Sequence, residues 1–116
     1  MSDAANVVLT EVQGRVLVIR LNRADARNAI SGDVAKGMEA ALDELEGNDE
    51  LWAGVLAANG PTFCAGADLK WIASGRAAEL STERGGFAGL VRRKRQKPLI
   101  GAVHSDALAG GFEIAL

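Results

Sequence analysis

Cysteine and histidine are nearly missing from this sequence: one of each occurs among 116 residues, so no internal disulfide is available and a Cys/His zinc cluster is excluded. Prolines number two, and the 14 glycines follow no Gly-X-Y period. Collagen-like and low-complexity architectures are thereby removed, and the glycines are left to turns and close backbone approaches. Long apolar runs are lacking as well. The longest small-and-apolar stretch, Trp52–Ala58, falls far short of the roughly 20 residues a membrane helix requires, so no membrane partner is expected. The opening residues carry Asp3 and no basic region followed by an apolar one, unlike a secretory signal. With Cys64 alone, a reducing, cytoplasmic setting is the expectation. Neither sign of charge dominates: 15 acidic and 13 basic residues leave a net charge of -2, which argues against a broad nucleic-acid surface. What the chain does have is 48% hydrophobic residues, enough for one globular α/β unit with a real core.

The order of elements follows from local pattern. Val7–Glu11 and Arg15–Leu21 are rich in branched residues and predict an opening hairpin through Val12, Gln13 and Gly14. Ser31 is placed to cap a helix whose apolar positions Val34, Ala35, Met38, Ala41, Leu42 and Leu45 recur at helical spacing, with Gly47 and Asn48 as its stop. Trp52–Ala58 reads as a strand buried on both faces, which implies a parallel sheet. A small-residue loop, Phe63–Ala67, leads through Asp68 into a helix over Leu69–Ala73. Residues 87–96 predict a further helix that Pro98 ends, and Leu99–Val103 a second buried strand. Gly111–Leu116 begins another helical pattern that stops without a cap, in mid-element.

Twice, at 63–70 and at 107–113, a strand ends, a small-residue loop follows and a helix begins. The first turn of a helix has N–H groups without intrahelical partners and a positive partial charge, so an oxygen gaining negative charge is stabilised there. Two readings stay open on spacing alone: a pair of ordinary turns, or two loops that face each other as an oxyanion hole, in which one donor is worth about 3 kcal/mol of transition-state stabilisation.

Other chemistry-bearing residues have plainer readings. His104, Ser105 and Asp106 are contiguous on a strand end, point to alternating sides and do not converge as a triad. Cys64 reads as a small buried filler. The run Arg92–Arg93–Lys94–Arg95 with Lys97 falls in the last turns of the predicted helix, where cations complement the negative pole on a solvated face. Trp52, Trp71 and Phe87 read as core or pocket wall.

Three stretches in order resemble the crotonase superfamily of enoyl-CoA hydratases and isomerases. Leu21–Ser31 (LNRADARNAIS) is similar to the family's coenzyme A segment, Gly60–Lys70 (GPTFCAGADLK) to its first oxyanion loop, and Lys97–Leu116 (KPLIGAVHSDALAGGFEIAL) to its second. The resemblance covers essentially the whole chain. It implies a crotonase-like spiral of ββα units, incomplete at the C-terminus, with residues 1–116 forming the N-terminal part of a single domain. By the same resemblance, the N–H groups of Ala67 and Gly110 would hold the thioester oxygen, and Glu113 would match one of the two glutamates that flank the double bond in hydratases. Arg27, Ala29, Ala65, Gly66, Asp68, Leu69 and Lys70 would bind coenzyme A.

The implied reaction is reversible hydration of a 2-enoyl-CoA, a lyase activity with an acyl-CoA thioester as partner. It needs no metal and no cofactor beyond the coenzyme A of the substrate, and a homotrimer or hexamer would be the assembly of a complete domain. Isomerisation, thioester hydrolysis and carnitinyl-CoA dehydration are alternatives on the same scaffold. An inactive, truncated acyl-CoA-binding or subunit-interaction fragment is the alternative of another class. The sequence departs from the family at His104–Ser105, where Asn-Gly or Asp-Gly is common, and at Ala109, where the first of three glycines is frequent. The second hydratase glutamate belongs to a later segment than these residues.

Overall fold

The computed structural model describes residues 6–115. Its first element, β1 (Val8–Gln13), pairs antiparallel with β2 (Val16–Leu21), from Val8 opposite Leu21 to Gln13 opposite Val16. Val12 and Gln13 thus belong to the strand, and the connection is shorter than the sequence predicts. Gly14 and Arg15 alone make it, because Gly14 takes a φ of 63° that lets the chain reverse in two residues.

Helix α1 (Gly32–Gly47) follows, with the Ser31 hydroxyl accepting from the Val34 amide at 3.3 Å. The six apolar positions expected to face inward are all buried. They pack on the side chains of Leu17, Ile19 and Leu21, which alternate onto one face of β2. Each such buried Leu or Ile contributes about 1.5–3 kcal/mol.

Strand β3 (Ala53–Ala58) lies between β2 and β6 (Leu99–Gly101) and is parallel to both, giving the order β1-β2-β3-β6. Its central place explains its run of small and apolar residues. Trp52, expected in the strand or the core, lies just outside it and is 65% exposed, with the Arg15 guanidinium 5.1 Å from its ring centre. The short helix α2 (Leu69–Ala73), a two-stranded ribbon of β4 (Ser81–Thr82) and β5 (Gly86–Phe87), α3 (Gly110–Ala115) and single 3-10 turns at Ala24–Ala26 and Ala77–Leu80 complete the described elements. No helix among the described residues is long and apolar enough to cross a membrane. Leu116 lies outside the described residues, so only the rest of the last expected helix can be compared; α3 begins one residue before it, at Gly110.

The helix expected over 87–96 does not form. Ala88 and Gly89 take φ of 59° and 70°, which breaks a right-handed helix at its start. The cause is tertiary: a Cβ on Gly89 would stand 2.5 Å from the Ala35 carbonyl oxygen, so this corner is pressed against the backbone of α1. The Ala88 amide donates to Leu80 O at 2.8 Å and the Arg92 amide to Gly85 O at 2.7 Å, which replaces helical bonding with turns. The basic run therefore complements no helix pole. Arg93 is drawn in, its Nη1 2.7 Å from Asp43 Oδ1, while Arg92, Lys94 and Arg95 are exposed.

Candidate functional site

Above the C-terminal end of the parallel strands, three irregular segments are laced side by side. The middle one is Phe63–Asp68. On one flank, the Ala65 amide donates to Arg27 O at 3.0 Å, Ile30 N to Gly66 O at 2.7 Å and Asp68 N to Ile30 O at 2.9 Å. On the other flank, the amides of Phe63 and Cys64 donate to Asp106 O and Leu108 N donates to Cys64 O at 3.0 Å. The two loops singled out by sequence are therefore direct neighbours, with Cys64 bridged in parallel to Ala107.

This lacing leaves two main-chain donors over. Ala67 is bracketed by the Gly66 and Asp68 bonds to Ile30, so its own amide faces the other way. Gly110 is the first residue of α3, where no intrahelical acceptor exists. Among the described residues neither N–H has a hydrogen-bond acceptor. The loops meet at Gly66, whose φ is 95°: a Cβ there would lie 3.1 Å from Gly110 N and 3.1 Å from Leu108 O. A side chain at position 66 would press on the second donor, so the close approach requires glycine. Gly111 serves the same end from α3, since its Cβ would stand 2.2 Å from Cys64 O.

Glu113 sits one turn beyond Gly110, exposed, its amide bonded to Ala109 O and its carboxylate without a partner among the described residues. The Phe87 ring covers Gly110, within 2.8 Å of where a Cβ would begin. The sequence reads Phe87 as core or pocket wall at the start of a helix; the helix is absent, and the ring's place over Gly110 is not legible in local pattern.

The residues expected to bind coenzyme A gather along the 27–30 and 65–70 rim. Arg27, Leu69 and Lys70 are exposed, Leu69 to 77%, and Ala29 and Ala65 are half-buried. Asp68 differs from the rest. It is 9% exposed; its Oδ1 accepts from the amides of Lys70 and Trp71, and its Oδ2 lies 3.0 Å from Arg23 Nη1. Burial works against its charge, but Arg23 and the two amides together hold the carboxyl below its ordinary value. Both oxygens of its side chain are thus committed to capping α2 and pairing Arg23.

Two residues that the sequence did not flag hold this rim in place. Buried Asn28 accepts from Arg23 N and donates to Asn59 O and Thr62 O, each at 2.8 Å, while Arg23 also donates to Ala29 O. Cys64 is fully buried, as expected of a filler, and its Sγ donates to Asn28 O at 3.2 Å; burial pushes the thiol up. His104, 2.7 Å from Gly60 O and edge-on to the Phe63 ring, helps fasten the second loop to the first.

The sequence profile described as enoyl-CoA hydratase/isomerase matches residues 11–116. The chain belongs to the enoyl-CoA hydratase/isomerase family. Among its relatives, the short-chain-enoyl-CoA hydratase of Clostridium acetobutylicum is 35% identical over 119 aligned residues, which cover 96% of this chain and 44% of that protein. The carnitinyl-CoA dehydratase of Proteus mirabilis is 38% identical, with 90% of this chain and 40% of that protein covered. A crystal structure of a probable enoyl-CoA hydratase/isomerase from Mycobacterium abscessus superposes with a TM-score of 0.88 at 43% identity, covering 96% of this chain and 42% of that one. The fold is crotonase-type, and the chain spans less than half the length of these family members.

Proposed function

We propose that this protein acts as an enoyl-CoA hydratase, adding water reversibly across the double bond of a 2-enoyl-CoA thioester. The observation that carries the reading is the pair of unpartnered N–H groups at Ala67 and Gly110, on loops that touch at Gly66. An acyl thioester bound between them directs its carbonyl oxygen at both. As water gives up a proton to a carboxylate base and its oxygen bonds to C3, the electrons of the double bond move onto that carbonyl, and the resulting enolate oxygen is stabilised by donors fixed beforehand. C2 then takes up a proton and the carbonyl re-forms.

Glu113, on the same helix face as Gly110, supplies acid-base chemistry to the water or to C2. Coenzyme A lies along the rim of Arg27, Ala29, Ala65, Gly66, Asp68, Leu69 and Lys70, where the exposed Arg27 and Lys70 offer charge to phosphate and Asp68 shapes the wall through α2. The reaction asks for no metal or redox cofactor. Relatives named carnitinyl-CoA dehydratase favour a second reading, dehydration of a hydroxylated acyl-CoA through the same enolate.

The test follows loss of the conjugated enoyl-thioester absorbance of crotonyl-CoA. Glu113→Gln keeps the shape and removes the proton-transfer group, and turnover is expected to fall about a hundredfold or more. Gly110→Pro deletes one donor with a similar loss. Because the Phe87 ring occupies the space beside residue 110, circular dichroism confirms that this variant folds. Wild-type turnover in folded Glu113→Gln and Gly110→Pro overturns the reading.

A further inference from the structure

A depression of about 380 Å³ opens beside Glu113, walled by Thr82, Glu83, Phe87, Val91 and Arg92. It rests on the function proposed above: Phe87 covers Gly110 and also lines the depression, so an acyl chain whose thioester oxygen meets the Gly110 N–H passes Glu113 and runs into it. Its wall is mostly polar, which suits a short chain with a polar end better than a long aliphatic one.

Arg92 is the distinctive member. Its main chain is tied to Gly85 O at 2.7 Å, and its stem lies across Gly86, where a Cβ would meet its Cβ, Cγ and Cδ at 2.8–3.1 Å. The guanidinium beyond that fixed stem has no ion pair or hydrogen bond among the described residues. A second depression is lined by Arg84, Arg92, Arg93 and Lys94. Among the described residues, Glu39 and Asp43 alone answer those four cations, through Arg84 and Arg93. Glu83 and Glu113 also stand on the wall, so the attraction for an anion rests on the unpaired Arg92 guanidinium itself and not on the net charge around it.

We propose that Arg92 is a specificity-determining residue that reads the end of the acyl group, selecting short 2-enoyl-CoA esters that terminate in a carboxylate. A guanidinium with both edges open matches a carboxylate in bidentate geometry. Glycine at 86 is part of the device, since any side chain there would push the Arg92 stem off its seat.

The experiment compares two probes on the protein, crotonyl-CoA and 4-carboxybut-2-enoyl-CoA, by calorimetric affinity and by kcat/KM. The carboxylated ester is expected to bind about tenfold more tightly. Arg92→Gln should bring the ratio of the two affinities to about one, Arg92→Lys should keep part of it, and Glu83→Gln should raise it. Equal affinities in the wild type, or a ratio that Arg92→Gln leaves intact, overturn this inference while hydration of crotonyl-CoA leaves the hydratase reading standing. Failure of both esters to bind removes both together.

Discussion

Asn28 shows how one buried polar side chain can organise a loop. Its amide and carbonyl join Arg23, Asn59 and Thr62, positions up to 34 residues away, and with Arg27 and Asn28 itself at positive φ the segment has no regular hydrogen-bonding alternative. Asn28→Leu removes these partners at once and leaves two carbonyls and an amide short of water. A destabilisation of about 2–3 kcal/mol is expected, read as a lower urea midpoint. Asp68→Asn acts more locally, through the α2 cap and Arg23. Ala109, at a φ of 49°, holds the left-handed turn before α3 with a residue that pays some strain for it. None of these side chains announces its role in sequence: an asparagine and an aspartate in polar loops look like ordinary turn residues until their distant partners are known.

At the scale of elements, α1 was legible in full because cap, apolar spacing and stop all point the same way. The stretch 87–96 was not, since its apolar and basic pattern suits a helix, whereas the corner at Ala88–Gly89 is dictated by the α1 backbone it meets. Helix α3 is positioned by contact as much as by propensity. Gly111→Ala adds a Cβ 2.2 Å from the Cys64 carbonyl oxygen, backbone that cannot step aside, so α3 must shift and carry Gly110 with it. The expected outcome is a loss of about 1–3 kcal/mol in stability together with a fall in crotonyl-CoA turnover larger than that loss accounts for at a temperature where the variant is folded. Urea denaturation and a kinetic assay on the same preparation check it. In an isolated helix the same substitution would be stabilising, which marks the contact as the cause.

For the whole molecule, two carboxylates join segments that sequence distance separates. Asp68 ties the 23–30 segment to α2, and Asp43 ties α1 to the turn carrying Arg84 and Arg93. For Asp43, the hydrogen bond from Arg93, against a burial cost and with help from Arg84, holds the carboxyl below its ordinary value. A carboxyl lowered on folding stabilises the native state above its unfolded pKa, and that contribution is lost as pH falls through the folded one. Stability from these pairs is thus complete at neutral pH and disappears on acidification through and below the ordinary carboxylate range. A urea midpoint measured from neutral pH to about pH 3 should fall at the acid end, and Asp68→Asn should lower it at neutral pH and flatten that fall. The Asp43 pairs, more open to solvent, should weaken with added salt.

Local pattern alone determined the strand-helix-strand order, the inward face of α1, the parallel pairing of a run without alternation, and the two small-residue loops that matter. Each rests on interactions within a few residues of the chain: periodicity, caps and turn conformations. Only tertiary structure decided that the two loops meet at Gly66 with the Ala67 and Gly110 amides left unpaired, that Asp68 turns inward to Arg23, and that Arg92 stands open beside Glu113. Those facts depend on backbone atoms some 40 residues apart approaching to within a van der Waals contact. No periodicity encodes such an approach; it follows from close packing of α1, the sheet and the loops above it.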